Sequence, residues 1–357
     1  MRDQKRGLDF SNQDFYLGID VHKRSWAVTI RSNDIVLKTF SMDTIPKELF
    51  DFMKKRYPNG IYNSVYEAGF SGYSMHRELE NLGFNNIIVS PSEIPTTGKE
   101  KLTKTDEIDS RKLARELEKG TISGIYIPSL LQQEMRSLSR LRHQQVKKQT
   151  RIKNQIKSYL DFYGHKLPKN CEMQHWSRKF IEHLRTLEFN YDIGKEQLEI
   201  YVEELLIIRN RMLQILILLK KYYRQYELYH FIDLLRTVPG VGFVVAATLY
   251  SEIMDIKRFS NNEKFASYIG LVPSTMSSGE KKKVLGLCFQ FNRYLRSLLI
   301  ESAWVAIRKD PALILAYNNF LIRLSAQEAI VRIAKKLLNR IYYVLKNEKE
   351  YIYSVVQ

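Results

Sequence analysis

Phe15-Tyr16-Leu17-Gly18-Ile19-Asp20, running on through Val21-His22-Lys23-Arg24 into Ser25-Trp26-Ala27-Val28-Thr29-Ile30, decides how the N-terminal third of the chain is read. An apolar run ending in a carboxylate, then a polar turn and a second run rich in Trp, Val and Ile, predicts a strand hairpin with Asp20 near a strand end. The strands are expected at Phe15 to Val21 and Ser25 to Arg31, with a third from Ile35 to Phe40 after the turn Ser32-Asn33-Asp34. A carboxylate at the end of a buried strand is costly unless it is paired, hydrogen-bonded or on a metal. Two later segments place acids in the same way. Tyr62 to Tyr66 predicts a strand that ends in Glu67, and Lys104-Thr105-Asp106-Glu107-Ile108-Asp109 opens a helix. In that helix Asp106 and Asp109 are three apart, on one face of the first turn.

Asp20, Glu67, Asp106 and Asp109 therefore form a candidate tetrad. Carboxylates brought together raise one another's pKa unless cations lie between them. An oxygen-only ligand set suits Mg2+ or Mn2+ and not zinc. Two such ions about 4 Å apart can clamp the attacking and leaving oxygens of a phosphodiester displacement. Taken singly, each acid reads first as a strand-end residue or a favourable charge at a helix N-terminus; taken together, in this order and context, they point to a metal centre. His22 reads first as a surface turn histidine and second as a phosphate contact.

The 357 residues suggest two domains and a connecting element, and 44% of them are hydrophobic, enough for a sizeable core. A formal net charge of +17 makes a large polyanion the first partner to consider. An anionic membrane surface competes, but the most apolar segment, Leu213 to Leu219, is bounded by Arg209, Arg211, Lys220 and Lys221 and reads as a helix face, not a span. The N-terminus lacks an apolar signal region, so a cytoplasmic location is expected. Cys171 and Cys288 are too few for a disulfide framework or a zinc cluster and are expected to be reduced.

Along the rest of the first 127 residues, helices are expected at Pro46 to Lys55 with Thr44 as its cap, at Tyr73 to Leu82 and at Asp106 to Lys119, with a short strand from Asn86 to Ser90. Hairpins followed by alternating helix and strand make an α/β domain with a mixed sheet. This order, with acids on the first strand, the fourth strand and the last helix, resembles the ribonuclease-H-like fold in its RuvC form. The basic stretch Pro91 to Thr105, with Lys99, Lys101 and Lys104, reads as a nucleic-acid contact.

After Pro128 the pattern becomes helical. Leu131 to Phe162 has apolar residues at helical spacing and no acid between Glu134 and Asp161, while Arg140, Lys147 and Arg151 lie among its many cations. Such a helix can lie along a phosphate backbone. A short helix from Ser177 to Leu187 and a second long one from Lys195 to Tyr229 suggest a helical hairpin or coiled coil across residues 128–230, with another subunit as its partner. Pro239-Gly240-Val241-Gly242 then reads as a tight turn whose following helix offers free amides to a phosphate, or as an ordinary turn between helices. A polar loop is expected over Ser274 to Glu280, and a basic packing helix over Ala326 to Leu345. Tyr342, Tyr343, Tyr351 and Tyr353 lack the Arg-His-Arg company of a tyrosine recombinase.

Several motifs are specific in combination: Arg258-Phe259, Ala266-Ser267-Tyr268-Ile269-Gly270-Leu271-Val272-Pro273, Ser277-Ser278-Gly279, and Leu295-Arg296-Ser297-Leu298-Leu299-Ile300-Glu301-Ser302-Ala303. They resemble the C-terminal domain of the DEDD insertion-sequence transposases, a family that includes Piv-type invertases and bridge-RNA-guided recombinases. Gly18 to Lys23, Tyr66 to Gly69 and Lys104 to Ala114 are similar to the same family's RuvC-like domain, so the resemblance covers nearly the whole chain. It implies a RuvC-like DEDD domain over 1–127, a helical coiled-coil linker or multimerisation region over 128–230, and a mainly helical transposase domain over 231–357. Asp20, Glu67, Asp106 and Asp109 would bind Mg2+ or Mn2+, and Ser278 would attack DNA to form a 5′-phosphoserine ester. The implied partners are double-stranded target and donor DNA, a structured noncoding guide RNA, and further copies of the chain as a dimer or tetramer. Where many relatives carry a Lys or Arg and a Gly, this chain has Leu287 to Arg293, which leaves phosphate contact there to Arg293 and Arg296. A two-metal nuclease acting by hydrolysis, and a non-catalytic nucleic-acid scaffold, are the alternatives.

Overall fold

The computed structural model describes residues 9–95, 105–166, 176–278, 281–288 and 291–353, with backbone alone for 274–278 and 281–285. The chain divides into two compact units, 1–127 and 128–357.

The first unit is built on a five-stranded sheet. Strands β1 (Asp14–Val21), β2 (Trp26–Ser32) and β3 (Ile35–Met42) form an antiparallel meander. After helix α1 (Pro46–Arg56), strand β4 (Ile61–Glu67) returns to pair parallel with β1. Helix α2 (Ser74–Leu82) then leads to β5 (Asn85–Val89), parallel to β4, so the order across the sheet is β3-β2-β1-β4-β5. Helix α3 (Asp106–Glu118) follows. Thr44 does not cap α1: the N-cap is Ile45, with no side-chain hydrogen bond, and Pro46 starts the helix without needing an amide partner.

Alternation along β1 decides what lies where. Phe15, Leu17 and Ile19 point into a core with Leu49 and Met53 of α1 and Met75 and Leu79 of α2. Tyr16, Gly18 and Asp20 must then face the opposite side. There α3 comes so close that a Cβ on Gly18 would collide with the Ser110 carbonyl and the Ala114 amide. The glycine is the contact that seats α3 on β1.

The second unit begins with two long helices, α4 (Leu130–Phe162) and, after the short α5 (Arg178–Arg185), α6 (Asp192–Gln225). A capping box of Ser129 and Gln132 starts α4. The two run antiparallel: Tyr159 donates a 2.7 Å hydrogen bond to the Gly194 carbonyl, while Met135 packs in one cluster with Leu219 and Tyr223. The single helix expected as far as Tyr229 instead stops at Gln225, with Glu227 at positive φ, before α7 (Tyr229–Arg236).

A larger core gathers α7, α8 (Phe243–Ile253), α9 (Asn262–Ile269), α10 (Arg296–Ala306), α11 (Pro311–Leu321) and α12 (Ala326–Asn347). Between α9 and α10 the expected polar loop is instead a hairpin of β6 (Pro273–Ser278) and β7 (Lys281–Leu287).

Candidate functional site

Three elements of the first unit carry the four sequence-predicted acids. Asp20 follows Ile19, and Glu67 follows Tyr66; Ile19 and Tyr66 are register partners in the parallel β1–β4 pair. Tyr66 joins the core under α1 and α2, whereas Val65 packs with Leu113 of α3. Glu67 therefore shares the α3 face with Asp20, at the C-terminal ends of adjacent strands.

Helix α3 brings the other two acids to that face. Its N-cap is Thr105, whose hydroxyl accepts from the Ile108 amide, and Asp106 and Asp109 occupy the first turn. One turn in, Ser110 is 2.8 Å from the Thr29 hydroxyl of β2, in the interior. Together with Gly18 this fixes the helix start beside Asp20. Thr105→Ala is expected to destabilise the first unit by about 1 kcal/mol through loss of the cap, checked by urea unfolding.

The local electrostatics are those of a concentrated negative site. Burial pushes the Asp20 carboxyl above the usual carboxylate range; His22 opposes the shift, and Asp106, Asp109 and Glu67 add to it. His22 Nδ1 lies 3.7 Å from Asp20 Oδ2 and 3.8 Å from Asp106 Oδ2. Potential ligand atoms of Asp20, His22 and Asp106 all lie within 4.8 Å of one another. Asp109 instead holds the Lys112 ammonium at 3.1 Å. The most compact group is thus two of the four predicted acids plus a histidine that reads in the sequence as a turn residue.

In the second unit, Ser278 is the last residue of β6 and pairs in register with Lys281. The base of this hairpin is fastened at both ends. The Cys288 amide donates to the Val272 carbonyl, and Arg296 donates to the Cys288 carbonyl. Asn292, just past the hairpin, donates from Nδ2 to Glu252 Oε2 and to the Tyr268 hydroxyl, both at 2.9 Å. Glu252 is fully buried and holds Arg140 of α4 through two hydrogen bonds of 2.6 and 2.8 Å.

These contacts sort the cations proposed for nucleic acid. Arg140 is engaged by Glu252, and Arg296 by Cys288 and by the Phe291 ring, 3.4 Å from its centroid. Lys147, Arg151 and Arg293 are exposed, and among the described residues no carboxylate lies within salt-bridge reach of them. Lys147 and Arg293, with Arg142, surround His143, and burial together with these cations holds its imidazole below the ordinary value. The His143 ring meets Tyr294 edge-on at 5.0 Å, and Arg293 lies 5.3 Å from the centre of the same ring. Gly240 and Gly242 form the turn before α8; Gly240, at φ +82°, packs against the backbone of α10, and Gly242 is the N-cap. Lys101 and Lys104 lie outside the described residues.

Comparison with known proteins matches both parts of this arrangement. A transposase model of the DEDD IS110 type matches residues 17–165, and the model described as transposase IS116/IS110/IS902 family matches residues 232–318. A putative transposase, y4qE, of Sinorhizobium fredii is 28% identical over 239 residues, 67% of this chain and 57% of that protein. A second S. fredii putative transposase, y4rJ, is 28% identical over 69% of this chain and 66% of its own length. The chain thus spans less than two thirds of either. The transposase for insertion sequence element IS1533 of Leptospira borgpetersenii is 25% identical over 91% of this chain and 96% of its own. With one model over the acidic unit and the other over the hairpin region, in that order, this chain belongs to the IS110 family of DEDD transposases.

Proposed function

We propose that this protein is a DNA recombinase that transposes its own element, cutting and rejoining strands through a covalent 5′-phosphoserine intermediate on Ser278. The observation that carries the reading is the convergence of Asp20, Glu67, Asp106 and Asp109 on one face of the sheet, in a chain of a transposase family. The strand order β3-β2-β1-β4-β5, with three antiparallel strands and two parallel ones added, supports a ribonuclease-H-like fold of the RuvC kind for the first unit. The antiparallel pair α4 and α6 supports the coiled-coil connector, residues 128–230, and the remainder to residue 357 would be the transposase domain.

The excess of carboxylate at Asp20 fits a divalent cation, and Asp20, Glu67, Asp106 and Asp109 would hold Mg2+ or Mn2+. When bound, the ion supplies charge stabilisation at the phosphoryl oxygens. The chain's own steps are few. The Ser278 oxygen would attack phosphorus, giving up its proton; the serine ester bond forms as the bond to the 3′ oxygen breaks, and the released 3′ hydroxyl takes up a proton. That hydroxyl later attacks the ester, or another strand's does, so the exchange needs no external energy source.

Double-stranded DNA is the proposed substrate. A structured guide RNA and assembly into a dimer or tetramer follow from the family resemblance. Lys147, Arg151 and Arg293, with the amides after Gly240 and Gly242, are the proposed phosphate contacts. Lys147→Gln and Arg293→Gln are each expected to weaken DNA binding uniformly across sequences and to lower the log-log salt slope by about 1. Filter binding at several salt concentrations checks this, and an unchanged slope removes the residue from the contact set. Among the described residues no helix is long and apolar enough to cross a membrane.

The test is incubation with junction DNA, the element's flanking noncoding RNA and Mg2+, followed by denaturing electrophoresis. A protein-DNA adduct that chelator abolishes supports serine recombination. Cleavage with no adduct at early quench times favours hydrolysis, and no metal dependence at all favours a non-catalytic scaffold.

A further inference from the structure

The compact group at the sheet end contains a donor that a purely acidic reading leaves out. His22 is held in place: its backbone amide donates to the Ser25 carbonyl at 3.1 Å, closing the β1–β2 turn. Its side chain is half exposed, and the exposed ring turns back over the strand end, with Nδ1 at almost equal distance from one oxygen of Asp20 and one of Asp106. Metal-ligand bonds of about 2.0 to 2.6 Å let one ion touch donor atoms up to roughly twice that far apart. The three donors, all within 4.8 Å of one another, meet that condition.

Asp109 contrasts with them. Its carboxylate is paired with Lys112, whose side chain is largely buried, so part of its charge is balanced within the helix. The donor set nearest to enclosing an ion is therefore one nitrogen and two oxygens, from His22, Asp20 and Asp106. Carboxylate oxygen alone suits Mg2+, whereas an imidazole nitrogen favours a first-row transition metal.

We infer that His22 Nδ1 is a ligand beside Asp20 and Asp106, and that this nitrogen biases the centre toward Mn2+ over Mg2+. The inference rests on the proposal that the acidic face holds a divalent cation. The competing role for His22 is a protonated counter-charge bridging two carboxylates, with no bond to a metal.

The experiment uses the full chain with Mn2+ alone, without nucleic acid, and reads nitrogen coupling to the bound ion by pulsed electron paramagnetic resonance. The expected result is a 14N coupling in the wild type that His22→Gln removes. In the same variant Mn2+ affinity is expected to fall about 10- to 100-fold, the range seen when even outer supports of metal ligands are lost. Mg2+ affinity, measured by competition, is expected to fall less. Mn2+ that binds, is lost in Asp20→Asn, and shows no 14N coupling in the wild type overturns the role of His22 and leaves the acidic centre standing. A coupling that persists in His22→Gln overturns it as well, and absence of any Mn2+ binding overturns both this inference and the metal reading beneath it.

Discussion

Ser278→Ala is expected to abolish the covalent protein-DNA adduct and strand exchange while leaving folding and DNA binding as they are. The asymmetry follows from where Ser278 lies. It is the last residue of β6, in register with Lys281, and strand pairing uses backbone groups that alanine keeps. The substitution therefore removes one oxygen and little else. If that oxygen is the nucleophile, its loss is expected to cost about a millionfold in rate, the scale seen when covalent nucleophiles are deleted. Denaturing electrophoresis reads the adduct, and a strand-exchange assay reads the rate. Ser277→Ala is the matched control one position along the same strand. Adduct retained by Ser278→Ala and lost in Ser277→Ala would transfer the role to the neighbour, and wild-type exchange by Ser278→Ala would end the assignment. Asp20→Asn separates metal from nucleophile, because it leaves Ser278 intact.

The first unit was the more legible part of the chain, for a local reason. The strands ending in Asp20 and Glu67 are written in adjacent residues, whereas the placing of both acids on one face follows from the β1–β4 register and from Val65 packing toward α3. What joined α3 to that face was equally present as Gly18, a glycine inside a strand, which signals close approach of another backbone. The contacts that escaped the sequence are long-range or side-chain specific. Whether His22 turns toward Asp20 or toward solvent depends on rotamer and turn geometry, not on spacing. Apart from Met276 and Gly279, Ser274 to Lys283 is polar throughout, so the sequence has no apolar alternation to announce the hairpin of β6 and β7. Arg140 read as one cation among many on α4, yet it pairs with Glu252, 112 residues away. A signal for that pair did exist: Glu252 is the lone acid of the apolar helix α8, and a carboxylate buried there requires a partner.

Gly18 carries the second large effect. Its position on β1 faces α3 with no room for a side chain, and the atoms that a Cβ would meet first are backbone, the Ser110 carbonyl and the Ala114 amide. Backbone cannot move aside as a rotamer can, so the helix must lift from the sheet or the strand must bend. Gly18→Ala is expected to destabilise the first unit by about 3 kcal/mol, at the upper end of the overpacking range, and Gly18→Val by more. The hydrogen bond between Thr29 and Ser110 is strained by the same displacement, since Ser110 supplies both contacts. The consequence reaches the acidic centre directly. Asp106 lies one turn before Ser110 on α3, and Asp20 lies two residues beyond Gly18 on β1, so lifting the helix separates the very groups that converge. Mn2+ affinity of the folded fraction is accordingly expected to fall in Gly18→Ala, although no ligand has been changed. Urea unfolding monitored by circular dichroism, with Mn2+ titration below the transition, reads both effects. A Gly18→Val protein with the wild-type midpoint and wild-type Mn2+ affinity would mean that α3 does not rest on β1, and that the four acids are not held together by this contact.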